Sequence, residues 1–255
     1  MTARLATVLT VLQALIFWPA STVAEEIRIG FAQESVVVTP GFVGADVIVF
    51  GSVESGLQED LEIGRYDVIV VLQGDEEKVV VRRKSRQAGI WVNGRARTFE
   101  NVPSFYALAS SRPLSEIAEP EVFSKYQIGF SNLTLISATE DEALPLYRNA
   151  ITRIRRDRDL ALERQNGIRF MSDTLFRAKL VVPSNVPIGR HTVKAFLFKR
   201  GELLDVREAR FAVRKVGFEQ YTYWLAHKHG LIYGIIAVLI AMATGWLASV
   251  VFRKD

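Results

Sequence analysis

The chain has 255 residues, 49 % of them hydrophobic and 24 % charged, with no cysteine, three histidines and a formal net charge of +4. That balance belongs to a folded chain and not to a disordered one. The lack of cysteine excludes a disulfide scaffold, an iron–sulfur cluster, a cysteine nucleophile and a thiolate zinc site, and three histidines exclude most histidine-rich metal centres.

Residues 1–24 read as a secretory leader. Arg4 is the only charge, Leu5 to Trp18 is apolar apart from Thr7, Thr10 and Gln13, and small residues follow at Thr22 and Ala24. A charged start, a short apolar core and small residues at −3 and −1 describe a signal peptide, cleaved before Glu25. The run is too short to span a bilayer, which needs about 20 residues. Cleavage removes one cation, and the small excess left describes a solvated surface and no nucleic-acid footprint.

Residues 25–102 carry a β pattern. Ile27, Ile29 and Phe31 alternate with polar positions, and Ser35 to Thr39 is β-branched. Ala45 to Phe50 predicts a strand closed by Gly51. Tyr66 to Leu72 predicts another, followed by a Gln73-Gly74-Asp75 turn and a hairpin partner at Lys78 to Arg82. Ile90 to Val92 ends at Asn93-Gly94, a strong turn dipeptide. Short strands with frequent turn signals predict an antiparallel, immunoglobulin-like sandwich.

Residues 103–166 change period. Pro103-Ser-Phe-Tyr106 can open a short helix with Phe105, Leu108 and Ala109 on one face. Pro113 and Pro120 break the stretch 112–139. A longer helix is predicted over about 141–165, with Tyr147, Ala150, Ile151 and Ile154 facing the core. Thr139 with Glu142 can form a capping box, Asn166-Gly167 offers a stop, and Pro145 requires a place in the first turn.

Strands return over 167–216. Leu175 to Val182 is one, and Pro183 to Gly189 is a rigid turn. Thr192 to Phe198 puts Val193, Ala195 and Leu197 on one face and Phe196 and Phe198 on the other. Gly201 turns into Leu203 to Val206, and Arg210 to Val213 finishes. These strands either pack onto the first sandwich or complete a small one of their own.

A juxtamembrane helix over 217–230 leads into 231–252, which has 22 residues and no charge. At about 1.5 Å per residue it covers about 33 Å, enough for the hydrocarbon core. Arg253 and Lys254 follow in the tail 253–255, a basic flank that fits a cytoplasmic end. Tyr221, Tyr223, Trp224 and Tyr233 suit the opposite interface. Ala237, Ala241, Gly245 and Ser249 recur every four residues, with Gly230 and Gly234 one turn below. Small residues at that spacing let a second helix approach closely within lipid.

The search for chemistry yields little. No G-x-S-x-G is present, so a serine hydrolase would have to gather His191 with acids in a cleft. His227 and His229 point about 200° apart on a helix and cannot clamp one ion. Glu140-Asp141-Glu142 looks like a calcium site on paper, but its position at a helix start, where acids meet the positive end of the dipole, is the favoured account. Arg82-Arg83-Lys84 with Arg86, joined by Arg95 or Arg97, can bind an anion or lipid headgroups, or form a solvated loop. Arg153, Arg155, Arg156 and Arg158 alternate with acids, which favours a solvent face. Trp91 and Phe99 can form a lip beside Asn93-Gly94 or stand as half-buried aromatics.

Taken as a set, Gly44-Ala-Asp-Val-Ile-Val-Phe-Gly51, Tyr66-Asp-Val-Ile-Val70, Val80-Val-Arg-Arg-Lys84 and Gly89-Ile-Trp-Val-Asn93 resemble a known family. Val102-Pro-Ser-Phe-Tyr106, Thr174-Leu-Phe-Arg177, Val186-Pro-Ile-Gly-Arg190, Tyr233-Gly-Ile-Ile-Ala-Val, Gly245-Trp-Leu and Phe252-Arg253 extend the likeness over nearly all of the mature chain. The chain is similar to the alphaproteobacterial putative transmembrane proteins, a family without assigned function. The resemblance implies a bacterial envelope protein with an exported domain and a C-terminal span. It also implies genes that neighbour sulfite-exporter-type permeases, which is association and no physical warrant.

The expected protein is therefore mainly β with a helical middle and one C-terminal transmembrane helix. It is expected in the bacterial inner membrane, with the domain in the periplasm and the C-terminus cytoplasmic. No enzyme activity, catalytic residue, cofactor or metal is expected, and no nucleic acid. Its partners are the lipid bilayer and, through the anchor, an integral membrane protein or a second copy. The alternative is a tethered module for a small anion, held by Arg82, Arg83 and Lys84.

Overall fold

The computed structural model describes residues 25–54, 66–137, 142–215 and 225–251; the expected leader and the Thr139 cap lie outside them. Twelve strands in these residues form three sheets. Strands β1 (Glu26–Phe31), β3 (Gly44–Glu54), β10 (Leu175–Pro183) and β9 (Ile168–Phe170) form a four-stranded sheet in the order β1-β3-β10-β9. A six-stranded sheet runs β2-β12-β11-β4-β7-β8, built from Ser35–Val38, Glu202–Lys215, Gly189–Lys199, Tyr66–Gly74, Tyr106–Ser110 and Ala161–Arg164. Its β2–β12 and β7–β8 pairs are parallel and the others antiparallel. The third sheet is a hairpin, β5 (Glu76–Gln87) with β6 (Ile90–Pro103).

The burial of each strand follows its apolar pattern. β3 alternates, burying Val47, Val49, Gly51 and Val53 while its other face is largely open to solvent. Cross-strand ion pairs decorate that open face, Lys179 to Asp46 at 2.7 Å and Arg28 to Glu54 at 3.0 Å. β4 reads Tyr-Asp-Val-Ile-Val-Val-Leu without alternation, and it is buried on both faces. Val68, Val70 and Leu72 join Val47, Val49, Phe176 and Leu180 in a core shared by the two large sheets. Ile69 and Val71 point into a second core, roofed by the helical middle.

That roof is made of α1 (Leu114–Ile117), α2 (Pro120–Tyr126), a 3₁₀ turn (Phe130–Asn132) and α3 (Leu144–Asp157). They bury Ile117, Phe123, Ile128, Phe130, Tyr147 and Ile151 over Phe99, Phe196 and Phe198. Tyr106 lies beneath them, and its hydroxyl accepts the Gly129 amide at 2.8 Å. β11 separates the two cores as its alternation requires, with Val193, Ala195 and Leu197 on one side and Phe196 and Phe198 on the other.

Several expected elements change. Gly51 does not close a strand, because β3 continues to Glu54. A Cβ there would lie 2.3 Å from the Phe176 ring and 2.6 Å from the Arg28 carbonyl, so the glycine leaves room for that ring. β5 is not the hairpin partner of β4, whose two edges are taken by β7 and β11. Asn93-Gly94 is not a turn. The reversal is at Ala88 (φ 49°) and Gly89 (φ 86°), as a two-residue hairpin turn requires, and Gly94 lies where the β5–β6 register slips between Arg82 and Lys84.

Pro103 to Tyr106 opens no helix: Tyr106–Ser110 is a fully buried strand. The long helix stops at Asp157 and not near 165. Asp159 takes φ 57°, and Leu160 then places its carbonyl to accept the Tyr106 amide at 2.9 Å, which starts β8. Asn166-Gly167 therefore joins two strands. Pro145 occupies the first turn of α3, where its missing N–H costs nothing. The returning strands enter both large sheets, with β10 beside β3 and β11 beside β4. Residues 225–228 are helical, and α4 runs from Gly230 to Val251.

Candidate functional site

α4 is a 22-residue apolar helix, long enough to cross a membrane, and every residue from Gly230 to Ser249 is exposed. None of it is buried against the β domain. At about 100° per residue, Gly230, Gly234, Ala237, Ala241, Gly245 and Ser249 fall within about 120° of arc. Leu239, Ile240, Met242 and Trp246 lie outside that arc, and Val238 and Leu231 fall near its edge. A Cβ built on Gly230, Gly234 or Gly245 would meet nothing within 4 Å. No contact within the described chain therefore requires these glycines, although each costs about 1 kcal/mol against alanine in a helix.

The second candidate is the β5–β6 hairpin. Arg82, Arg83 and Lys84 are exposed and lie within β5, not on a loop, since the strand continues to Gln87. Arg82 lines a cleft of about 280 Å³ between β5 and α3, with Glu77, Val79, Val80, Val81, Ile151, Ile154, Arg155 and Arg158. Arg83 and Lys84 lie outside it. From Arg82 to Arg97 no residue is buried, and Ile90 and Trp91 at the tip are 65 % and 69 % exposed. Phe99, by contrast, is fully buried, so Trp91 and Phe99 form no lip.

Sequence reasoning missed Arg155. It is buried, not part of a solvent face, with its guanidinium on the Glu77 carboxylate and its Nη1 donating to the Ser104 carbonyl at 3.3 Å. The signal was available, because Tyr147, Ile151 and Arg155 are spaced by four and share one helix face. Arg156 does meet an acid at the surface, Glu163 at 3.2 Å. The base of the hairpin leans on the same helix: the Tyr147 hydroxyl donates to the Arg95 carbonyl at 3.3 Å, and the Arg97 guanidinium lies 5.9 Å over the Tyr147 ring.

Among the described residues His191 hydrogen-bonds to no serine or acid. It is 2 % exposed, its Nδ1 lies 3.3 Å from the Gly189 carbonyl, and its Nε2 is buried without a hydrogen bond. Burial holds its pKa below the usual value, with the Gly189 carbonyl and Asp75 partly opposing. Asp67 is also buried. It takes a bidentate contact from Arg112, at 2.8 Å from Nε and 2.6 Å from Nη2, and the Ser111 hydroxyl at 2.9 Å. This ties β4 to the turn after β7. Among the described residues no three His, Asp or Glu side chains gather as metal ligands; Glu140 and Asp141 lie outside them.

The chain matches a family model described as "Putative transmembrane protein (Alph_Pro_TM)" over residues 26–254, and it belongs to that family. No curated protein compared with it matches. Among solved structures, the N-terminal domain of the Streptococcus gordonii adhesin Sgo0707 aligns with 75 % of this chain at 10 % identity and a TM-score of 0.26. The aligned part is 33 % of that structure's chain, and a score so low carries no argument. Family membership and the apolar helix make this a single-pass membrane protein with a β domain.

Proposed function

We propose that this member of the family is an accessory or interaction subunit of a membrane complex, with α4 as the surface that packs on its partner. The β domain, read as an immunoglobulin-like sandwich around the shared core, lies in the periplasm after removal of 1–24. The anchor sits in the inner membrane with 253–255 cytoplasmic, a transport protein being one candidate partner. The observation that carries the reading is the set of small residues on α4 that the described residues leave unburied. Lipid tails match leucine as well as any side chain does, so helices in a bilayer associate through close backbone approach at such positions.

The test is co-purification of the full chain from its own membranes in mild detergent, with crosslinking. Replacing Ala241 and Gly245 by leucine raises a ridge on the small face without changing apolar length. A partner protein, or a second copy, should be lost from the purified complex by roughly tenfold or more. Undiminished recovery refutes the packing role of α4.

A further inference from the structure

We propose that the β5–β6 hairpin is an arm that docks on an anionic phospholipid surface. Over residues 82–97 the arm carries Arg82, Arg83, Lys84, Arg86, Arg95 and Arg97 and no acid. These six cations exceed the net +4 of the whole chain, so the remainder is net negative and the excess of cations over acids lies in the arm. Among the described residues, Arg82, Arg83, Lys84 and Arg95 form no ion pair.

The charge is ordered and not diffuse. Arg82, Lys84 and Arg86 alternate on β5 and so fall on one face of the ladder. Arg86 stands directly opposite Trp91, and Lys84 opposite Asn93. One face of the arm thus presents a line of cations leading to an exposed indole at the tip, beside exposed Ile90. Cations for phosphate headgroups and an amphipathic ring for the interface are the two elements of surface recognition by membrane proteins.

Two further observations favour lipid. An isolated two-stranded hairpin is only marginally stable in water, and beyond Val81 and Phe99 no residue of the arm is buried as a whole, although Arg97 packs on Tyr147 with its Nε out of solvent. A covering surface supplies what the fold does not. The bilayer is also close by construction. Lys215 ends β12 and Gly230 starts α4, so the tether extends at most about 50 Å. Such a tether converts weak surface contacts into intramolecular ones with a high effective concentration. The inference rests on single-pass anchoring and is independent of a partner for α4.

Because the chain has no cysteine, a single one can report on the arm. Gln87→Cys in the full chain, labelled with a polarity-sensitive fluorophore, is reconstituted in phosphatidylcholine vesicles with or without phosphatidylglycerol. The probe should shift to the blue and be quenched by doxyl-labelled lipid only in the anionic vesicles. The shift should fade in high salt. Arg82→Gln with Lys84→Gln and Arg86→Gln, exposed changes that leave both cores intact, should lower the docked-to-free ratio by about a hundredfold. A probe at Ser184→Cys, in the β10–β11 turn, should stay unchanged. Equal signals in neutral and anionic vesicles, or a full signal in the triple variant, overturn the proposal. So does a shift produced by inorganic phosphate with neutral lipid, which assigns the cations to a soluble anion. A shift seen in native membranes but not in pure anionic lipid overturns it in favour of a protein. Undiminished partner recovery in the Ala241 and Gly245 leucine variant, with the lipid signal intact, would refute only the previous reading.

Discussion

Replacing Gly51 by alanine tests whether the shared core is packed as described. In an ordinary strand the change removes backbone entropy from the unfolded chain and stabilises by about 0.5–1 kcal/mol. Here the new methyl would lie 2.3 Å from one Phe176 ring carbon, 2.6 Å from another and 2.6 Å from the Arg28 carbonyl. Carbon pairs rest at about 3.5–4 Å, so the ring must move by more than an ångström within a filled core. The carbonyl cannot yield freely, since the β1–β3 ladder holds it. Overpacking of this kind costs about 1–3 kcal/mol, and with a backbone atom involved the upper end applies. The net loss is about 2 kcal/mol, or a fall of about 4–8 °C in Tm for a domain of this size. The assay is thermal unfolding of the full chain in mild detergent, followed by β-sheet circular dichroism. In a Phe176→Leu background the clash with the ring is gone, and the cost of Gly51→Ala should shrink by about 1 kcal/mol or more. A rise in Tm, or the same cost in both backgrounds, refutes the reasoning.

Two further tests address buried polar groups. Because burial lowers the His191 pKa in the folded state, the unfolded chain binds more protons below the ordinary value of about 6.5. Stability is complete above that pH and falls as pH drops through the lower folded value; His191→Gln should flatten this part of the Tm profile, and identical profiles would refute it. Tyr106→Phe removes the hydroxyl that accepts the Gly129 amide, leaving that N–H buried, and should cost about 1–2 kcal/mol in urea unfolding.

What could be read from the sequence depended on how far each signal reached along the chain. β11 was legible because strict alternation places valine and alanine on one side and phenylalanine on the other, whatever covers them. The anchor was legible because 22 uncharged residues leave few alternatives. Tyr106–Ser110 was misread because a short strand buried on both faces has no period, and its Ala and Leu favour helices. At Asn93-Gly94 the glycine marks a register slip, and the real turn uses Ala88 at positive φ, against its own preference. Sheet order was not legible at all: the neighbours of β3 and β4 come from more than a hundred residues away as well as from nearby. The small face of α4 was visible as spacing, but the sequence did not show that its own domain leaves it uncovered. The basic run on β5 was visible too, yet its exposure and its line towards Trp91 follow from a hairpin placed elsewhere by the wrong turn signal.

The interleaving of early and late strands has a consequence for the order of synthesis. Ser52 pairs with Leu175, Val68 with Leu197, and Val36 with Val213. The four-stranded sheet cannot close until the ribosome has made residues up to Pro183, and the six-stranded one until Lys215, so folding waits on contacts that are distant in sequence and slow to form. β10 completes the four-stranded sheet, and β11 and β12, which complete the six-stranded one, are the last strands before α4. A chain truncated before β10 keeps β3 and β4 as open edges, prone to aggregate, and also lacks the helix that would hold it in a bilayer. α4 therefore reaches the bilayer only on chains in which every strand has already been made.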